Sequence, residues 1–343
     1  MFPLALLIFL SLTASTLGNP IEVRKHTSTT KPHTTTTKGS ASTKTSTAKT
    51  TQPTSGSGGS GSSGAPTLQA LFPIAKTVSQ WSTFPGASNS LALSDKTLGP
   101  ISVMPGVTHD YVSAPDGTLA MQAVYPKGSF NPSGTPRGGF SFYAAGPSNV
   151  NLATAKEVTL GYSVFFPKGF QFNKGGKLPG LYGGDDAKTS LSCSGGRRDP
   201  TCFSARLMWR TNGAGELYTY LPDPSEGSQF AANQKLCKIP NSDCNPTYGD
   251  SISRGAFTFK TGAWTTVAER LKLNTPGQAD GELELFVDGK SVINVAGLVI
   301  RDKAAGQIRG IQAQTFFGGA TKDWASPLDQ KAFFADFSMA VIS

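Results

Sequence analysis

Hydrophobic and polar residues alternate along several segments of the chain after its first hundred residues. The clearest runs of every-second apolar residues cover 158–166, 205–209, 283–287, 311–317 and 333–341. Successive side chains of a strand point to opposite faces, so this alternation predicts strands with one face in a core. Asp288-Gly289 separates two apolar runs and predicts a two-residue hairpin turn. These segments together indicate antiparallel β-structure.

Helical spacing over any length occurs in one segment, 68–81, with apolar residues at Leu68, Leu71, Ile74, Val78 and Trp81. The chain is rich in Gly (39) and Pro (23), and only 15% of its 343 residues are charged, which favours short strands and many turns. Strands without intervening helices predict an all-β fold. We expect a β-jelly roll, a two-sheet antiparallel sandwich with few short helices.

The N-terminal part of the chain differs in composition from the rest. Residues 2–17 are apolar and end in small residues, which predicts a secretory signal peptide over 1–18 and an extracellular protein. From Thr27 to Ser63, 22 of 37 residues are Ser or Thr, and such a segment buries too little apolar area to fold. We therefore expect a disordered linker over 19–64 and one domain over 65–343. No later apolar run has the roughly 18 residues of a membrane span, so no membrane association is expected after signal removal.

The formal charge of +9 is concentrated in the N-terminal part. Six of the 31 basic residues precede Thr67, against one of the 22 acidic residues, which leaves a net +4 for the domain. A mildly basic domain suits an anionic partner without indicating nucleic-acid binding. We expect an anionic polysaccharide partner, no nucleic acid and a monomeric protein.

The four cysteines form two close pairs in sequence, Cys193 with Cys202 and Cys237 with Cys244. A zinc site would need closer spacing or nearby histidines, and His109 is the only histidine after the N-terminal part. In a secreted chain the pattern predicts two local disulfides. We expect no metal and no cofactor.

Two neighbouring strands carry a polar face. In 202–210 one face holds Ser204, Arg206, Met208 and Arg210, and in 216–221 one face holds Glu216, Tyr218 and Tyr220. A two-residue loop would place these sets on opposite faces, because a shift of one residue reverses every side chain. We expect instead a three-residue loop, 212–214, which pairs Arg206 with Tyr220 and Met208 with Tyr218.

Lys177 lies upstream in a glycine-rich segment. The segment does not match a phosphate-binding loop, which needs Lys-Ser/Thr after its last glycine. On composition alone, an exposed loop lysine is the ordinary interpretation, and a functional lysine is the less favoured alternative.

Three motifs together resemble polysaccharide lyase family 14, the alginate and glucuronan lyases with a β-jelly-roll fold. They are Gly-Gly-Lys-Leu-Pro-Gly-Leu-Tyr-Gly-Gly over 175–184, Cys-Phe-Ser-Ala-Arg-Leu-Met-Trp-Arg over 202–210 and Gly-Glu-Leu-Tyr-Thr-Tyr over 215–220. Further similarity runs through 262–267, 273–275, 280–281 and 315–319. The likeness covers the chain from about residue 101 onward, and the cysteine-framed insert resembles the secreted fungal branch.

The resemblance implies an active site of one lysine, a Ser-x-Arg pair and a Tyr-x-Tyr pair. In this sequence the corresponding catalytic residues are Lys177, Ser204, Arg206, Tyr218 and Tyr220. As substrate-binding residues we add Gln312 and Gln314, which share the polar face of a strand, and Arg210.

Eliminative cleavage of a 4-linked uronic-acid polymer needs a cation for the C5 carboxylate, a base for the C5 proton and an acid for the O4 leaving group. Arg206 suits the first task, with Ser204 and Lys177. We expect nearby positive charge to lower the pKa of Tyr218 and Tyr220, which would then act as acid and base. Lys177 is the alternative base.

Two other classes of protein fit parts of the sequence. A lectin-like jelly roll would bind acidic polysaccharides without cleaving them. A glycoside hydrolase needs two paired carboxylates, which the sequence does not clearly show. Asp185-Asp186 would be weak evidence for a calcium loop, because two adjacent acids supply few ligands.

Overall fold

The computed structural model of the protein describes residues 66–343. The expected signal peptide (1–18) and linker (19–64) lie outside the described residues, so both stay predictions.

The described chain is built mainly from strands. In chain order they are β1 (Ser79–Ser82), β2 (Pro100–Ile101), β3 (Tyr111–Ser113), β4 (Leu119–Tyr125), β5 (Phe140–Ala144), β6 (Glu157–Phe165), β7 (Gly175–Gly184), β8 (Cys202–Arg210), β9 (Ala214–Tyr220), β10 (Asp243–Cys244), β11 (Asp250–Thr258), β12 (Trp264–Lys272), β13 (Gly281–Val287), β14 (Lys290–Leu298), β15 (Gln307–Phe317) and β16 (Gln330–Val341). The helices are short: α1 (Leu68–Leu71), α2 (Asp95–Leu98) and 3₁₀ segments at Thr189–Leu191, Thr211–Gly213, Pro224–Glu226, Ser228–Lys238 and Lys322–Trp324.

The strands form two antiparallel sheets of eight strands each. The first sheet has the order β14-β13-β12-β6-β16-β4-β3, with β1 pairing with β16. The second sheet has the order β10-β11-β9-β8-β7-β15-β5-β2. This is the predicted all-β sandwich with few short helices, and the fold prediction is confirmed.

The core lies between the two sheets. From the second sheet it receives Phe203, Ala205, Leu207 and Trp209 of β8, each at most 1% exposed. The first sheet contributes alternate residues of β6, such as Leu160. The alternation in β8 therefore identified the core-facing side chains correctly, and the remaining β8 side chains point to what we call the outer face of the second sheet.

The polar residues of the outer face suggested that this face is exposed to solvent. Several of its side chains are instead buried. Ser204 and Arg206 are each 1% exposed, and Tyr218 is 6% exposed. Loops that follow β7 and β9 cover this face, and Tyr218 packs in a small cluster with the Cys193–Cys202 disulfide. Polar side chains here are thus removed from water without joining the main core.

The two predicted disulfides are present. Cys193 pairs with Cys202 across 5.7 Å between Cα atoms, and Cys237 pairs with Cys244 across 5.4 Å. The first lies in the connection between β7 and β8, and the second joins the Ser228–Lys238 segment to β10. Each disulfide therefore ties down a loop of the second sheet.

The predicted register between β8 and β9 is wrong by two residues. Arg206 pairs with Tyr218 and Met208 with Glu216, because the three-residue loop is Thr211–Gly213. Asn212 (60°) and Gly213 (78°) both have positive φ inside this loop, a conformation that glycine and asparagine tolerate best. A shift of two residues keeps every side chain on its face, so the tyrosines still share the outer face with Arg206.

Two local predictions have different outcomes. Asp288 and Gly289 both have positive φ (48° and 78°) and connect β13 to β14, so the hairpin prediction is confirmed. The helical spacing over 68–81 yields only the single turn α1, and Trp81 lies in β1. Pro73 ends any helix there, because it cannot donate a backbone hydrogen bond and it disfavours helical geometry at the residue before it.

Candidate active site

A cleft of about 860 Å³ opens on the outer face of the second sheet. It contains six of the eight catalytic and substrate-binding residues predicted from the sequence: Lys177, Arg206, Arg210, Tyr218, Tyr220 and Gln314. The strands β7, β8, β9 and β15 are neighbours in the sheet, so residues far apart in sequence meet here.

Two predicted residues, Ser204 and Gln312, do not line the cleft. The Ser204 hydroxyl donates to the carbonyl of Cys193 at 2.7 Å, which ties β8 to the disulfide loop. Gln312 Nε2 donates to Gln314 Oε1 at 3.0 Å and to the Tyr143 hydroxyl at 3.1 Å. Ser204 therefore fixes the disulfide loop, and Gln312 fixes the side chains of Gln314 and Tyr143, which line the cleft.

Arg206 is a buried cation without an acidic partner. Nη1 donates to Gln314 Oε1 at 2.8 Å, and Nε has no hydrogen-bond partner. No ion pair within residues 66–343 includes this guanidinium. Burial lowers its pKa from the ordinary value, although the guanidinium stays charged. A buried charge normally needs a counter-ion, so the cleft is built to receive an anion.

Glu269 of β12 approaches the same guanidinium from between the sheets. Its Oε2 accepts from the amide of Leu181 at 2.9 Å, and its Oε1 has no partner. Burial raises the pKa of this carboxyl to about 8, against the opposing effects of the Leu181 amide and the charge of Arg206. The carboxyl is then mostly protonated at pH 7 and leaves the charge of Arg206 uncompensated.

The glycines of β7 let Lys177 sit deep in the cleft. A Cβ on Gly176 would lie 2.0 Å from the Trp209 ring, so only glycine allows β7 to pack against that core residue. Lys177 is 8% exposed, and its Nζ lies 2.9 Å from Met208 Sδ. Burial lowers the pKa of Lys177 well below the ordinary value, and the charges of Arg206 and Arg210 lower it further. The side chain of a lysine in this environment can be a neutral amine.

Of the tyrosines that line the cleft, Tyr218 and Tyr220 form an edge-to-face pair with ring centres 5.7 Å apart. The Tyr218 hydroxyl accepts from the amide of Gly249 at 3.1 Å, and the Tyr220 hydroxyl accepts from the amide of Gly196 at 3.3 Å. The pKa of Tyr218 is raised, not lowered as predicted. Burial and the neighbouring Tyr220 outweigh the charges of Arg210 and Arg206. Tyr218 therefore keeps its proton.

Sequence reasoning missed a charge network beside this pair. Glu216 is fully buried, and its carboxylate accepts from Arg210 Nε at 2.8 Å and from Arg254 Nε at 3.0 Å. Arg254 lines the cleft from β11, at an irregularity between Ile252 and Phe257. No regular pattern marks a side chain in a β-bulge, so the sequence carried no signal for it.

The cleft wall is positively charged. Its lining includes four basic residues (Lys177, Arg206, Arg210 and Arg254) and one carboxylate, Asp243. The buried Glu216 pairs with Arg210 and Arg254 and offsets one of their charges, whereas Arg206 has no such partner. Such an imbalance attracts anionic ligands and raises their local concentration.

Asp186, considered above together with Asp185 for calcium, has a local role. Asp186 Oδ1 accepts from the amides of Lys188 at 2.8 Å and Thr189 at 2.9 Å, which caps the following turn. Within the described part of the chain, no group of three or more His, Cys, Asp or Glu side chains is arranged to hold a metal ion. Among the same residues, no helix is long and apolar enough to span a membrane.

Comparisons with known proteins identify the family of this chain. The sequence pattern of the family described as Polysaccharide lyase 14 matches residues 113–337. No curated protein sequence matches the chain significantly. The crystal structure of the marine PL-14 alginate lyase from Aplysia kurodai has 30% identity and a TM-score of 0.64, with 78% of this chain and 100% of that chain covered. Alginate lyase vAL-1 from Chlorella virus has 28% identity and a TM-score of 0.58, with coverages of 72% and 93%. This chain belongs to polysaccharide lyase family 14 and is a polysaccharide lyase.

Proposed function

We propose that the protein is a secreted lyase that cleaves 4-linked uronic-acid polymers, mannuronate-rich alginate or glucuronan, by β-elimination. The observation that carries the proposal is the buried Arg206, which has no acidic partner and stands in one cleft with Lys177 and two phenols. Its natural counter-ion is the carboxylate of a uronate ring. The two alginate lyases compared above make alginate the first substrate to test.

Arg206 binds the carboxylate at C5. A guanidinium can hold a carboxylate through two parallel hydrogen bonds, and Gln314 orients it by accepting from Nη1. Neutralising this carboxylate makes the C5 proton more acidic, because the carbanion formed on its removal spreads charge onto the carboxylate oxygens. Arg206 thus stabilises the charge that develops as the proton leaves.

Lys177 is the base in this proposal. Its lowered pKa leaves a neutral amine that can accept the C5 proton near neutral pH. The electron pair of the broken C5–H bond forms the C4=C5 double bond, and the C4–O4 bond breaks. The products are a new reducing end and an unsaturated uronate at the non-reducing end.

A tyrosine supplies the proton that O4 needs as it leaves. Tyr218 suits this role because its raised pKa keeps the phenol protonated, and Tyr220 stands beside it in the cleft. This division of roles revises the expectation that both tyrosines act as acid and base. It follows from burial, which raises the pKa of a phenol and lowers that of an ammonium.

The test is incubation of the purified protein with polymannuronate, polyguluronate and glucuronan, followed by ultraviolet absorbance of the unsaturated product. We expect absorbance to rise with at least one of the three, and a K177A/Y218F double variant is the inactive control. Binding of a polymer without any unsaturated product would favour the lectin-like alternative. Reducing ends without ultraviolet absorbance would indicate hydrolysis.

A further inference from the structure

Two loops provide the backbone groups that contact the hydroxyls of Tyr218 and Tyr220. Gly196 lies in the loop closed by the Cys193–Cys202 disulfide, and its amide donates to the Tyr220 hydroxyl at 3.3 Å. Gly249 follows β10, and its amide donates to the Tyr218 hydroxyl at 3.1 Å. An N–H group that donates to a phenol oxygen stabilises the phenolate more than the neutral phenol.

The side chain of Arg198 joins these loops. Arg198, two residues after Gly196, donates through Nη2 to the carbonyl of Asn245 at 3.0 Å and to Asp250 Oδ1 at 2.6 Å. Its side chain is only 7% exposed, and Nη1 lies 3.6 Å from Asp223 Oδ2. Asn245 and Asp250 bracket the segment that contains Gly249. The guanidinium therefore holds the disulfide loop against the second loop.

The loops fit closely against each other and against the phenols. A Cβ on Gly196 would lie 2.4 Å from the carbonyl oxygen of Thr247. A Cβ on Gly249 would lie 2.6 Å from Tyr218 Cε1 and 2.8 Å from Tyr220 Cε2. Both amides thus depend on backbone positions at which even a methyl group does not fit, and a small displacement of either loop would weaken their hydrogen bonds.

We propose that Arg198 is a positioning residue for the lyase reaction, which keeps the Gly196 and Gly249 amides on the phenol oxygens of Tyr220 and Tyr218. When a phenol gives its proton to the leaving O4, negative charge develops on the phenol oxygen. The amides stabilise that charge in a site largely closed to water, as the donors of an oxyanion hole do. The inference rests on the proposed function, because it assigns the phenols to proton transfer.

The matched test compares Arg198→Gln with Arg197→Gln. Arg197 carries the same charge one residue away in the same loop. It pairs with Asp199 of its own loop and not with the loop that contains Gly249. We expect Arg198→Gln to lower kcat by about 10- to 100-fold, since removing a single oxyanion donor costs about that much or more. KM should change by less than about threefold, because Arg198 does not contact the cleft, and Arg197→Gln should match the parent.

The pH profile separates this role from loss of stability. Weaker amide donation raises the pKa of the phenol, so the alkaline limb of kcat should move to higher pH by about half a unit or more in Arg198→Gln. The charged groups that face the phenols, Lys177, Arg206 and Arg210, are unchanged in this variant. A purely structural defect would reduce the active fraction without moving the limb.

A second variant covers the case in which Arg198→Gln folds poorly. R198Q/D250N removes both buried charges together and avoids an unpaired carboxylate. It should show the same loss of kcat and the same shift, with less than additive effects of the two changes. The inference would be overturned if a folded Arg198 variant had the kcat and the alkaline limb of the parent while Tyr218→Phe was inactive. Full activity of both Tyr218→Phe and Tyr220→Phe would instead refute the tyrosine role in the proposed function.

Discussion

The side-chain nitrogen of Lys177 lies 2.9 Å from the centre of the Tyr218 ring. The face of an aromatic ring attracts a cation, so this contact favours the charged lysine, whereas burial and the charges of Arg206 and Arg210 oppose it. Lys177 and Tyr218 are therefore coupled: a proton taken by the amine is held over the ring of the phenol proposed to donate one. The contact places proposed base and proposed acid side by side.

Lys177→Ala should remove turnover with little change in polymer affinity. A base acts in the transition state, and positioned acid–base groups contribute about 10²- to 10⁴-fold in rate. Initial rates give kcat, and equilibrium binding of an alginate oligosaccharide gives affinity. The matched control is Lys174→Ala, which removes an exposed lysine of the same glycine-rich segment that pairs with Asp323. A large loss of affinity in Lys177→Ala would instead assign the lysine to the substrate carboxylate.

Tyr218→Phe and Tyr220→Phe test proton donation. Each change deletes one hydroxyl and leaves the ring to pack, so affinity should hold while kcat falls, by about 10² or more for the residue that donates the proton. Steady-state rates on the preferred polymer identify that residue. Tyr248→Phe is the control, since this tyrosine also lines the cleft but is 43% exposed. Equal, minor effects in all three variants would count against a phenolic acid.

Arg206→Ala should weaken binding and turnover together. The guanidinium contacts the substrate carboxylate before and during reaction, so KM should rise while kcat falls. Arg206→Lys keeps the charge but loses the planar pair of donors and should recover only part of kcat/KM. Kinetics at several ionic strengths provide the check. An unchanged KM in Arg206→Ala would contradict the carboxylate contact.

Glu269→Gln should change stability in a pH-dependent way. The carboxyl has an ordinary pKa of 4.5 and a folded pKa of about 8, so between these values the unfolded chain has lost a proton that the folded chain retains. The free energy of unfolding of the parent therefore falls as pH rises through this window. The variant lacks this titration. Its stability relative to the parent should increase from pH 4.5 to 8 by a few kcal/mol, on the order of 3.

Denaturant unfolding at pH 5 and pH 8 measures this difference. Glu282→Gln is the contrasting control, because Lys272 and Arg270 lower the pKa of Glu282 and its titration lies at lower pH. Its stability relative to the parent should not vary between pH 5 and 8. A constant difference for Glu269→Gln as well would show that Glu269 is ionised in the folded protein.

A chain that begins at residue 65 should fold and cleave substrate like the full-length protein. The Ser/Thr-rich segment has few apolar side chains to contribute to a core. Thermal unfolding and specific activity of the truncated and full-length proteins make the comparison. Loss of folding or activity on truncation would refute the linker interpretation of 19–64.

Strand periodicity determined much of the fold and part of the site. The period of two assigned Trp209 to the core and Arg206 to the opposite face, and Asp288-Gly289 marked its hairpin. Family motifs then supplied Lys177, Tyr218 and Tyr220 by sequence. The periodic signal is local, which is why it gave the faces of β8 and β9 correctly while their pairing was wrong by two residues. The same local signal suggested a helix over 68–81 that Pro73 prevents.

Only the tertiary structure decided the chemical state of those residues. Burial of Arg206, the raised pKa of Tyr218 and the lowered pKa of Lys177 depend on loops and neighbouring strands that are distant in sequence. Glu269 reaches the site from the other sheet, and Arg198 acts on it through two loops. Desolvation and Coulomb forces depend on every group nearby in space. The alternation of residues along one strand does not show which loops and side chains pack against that strand.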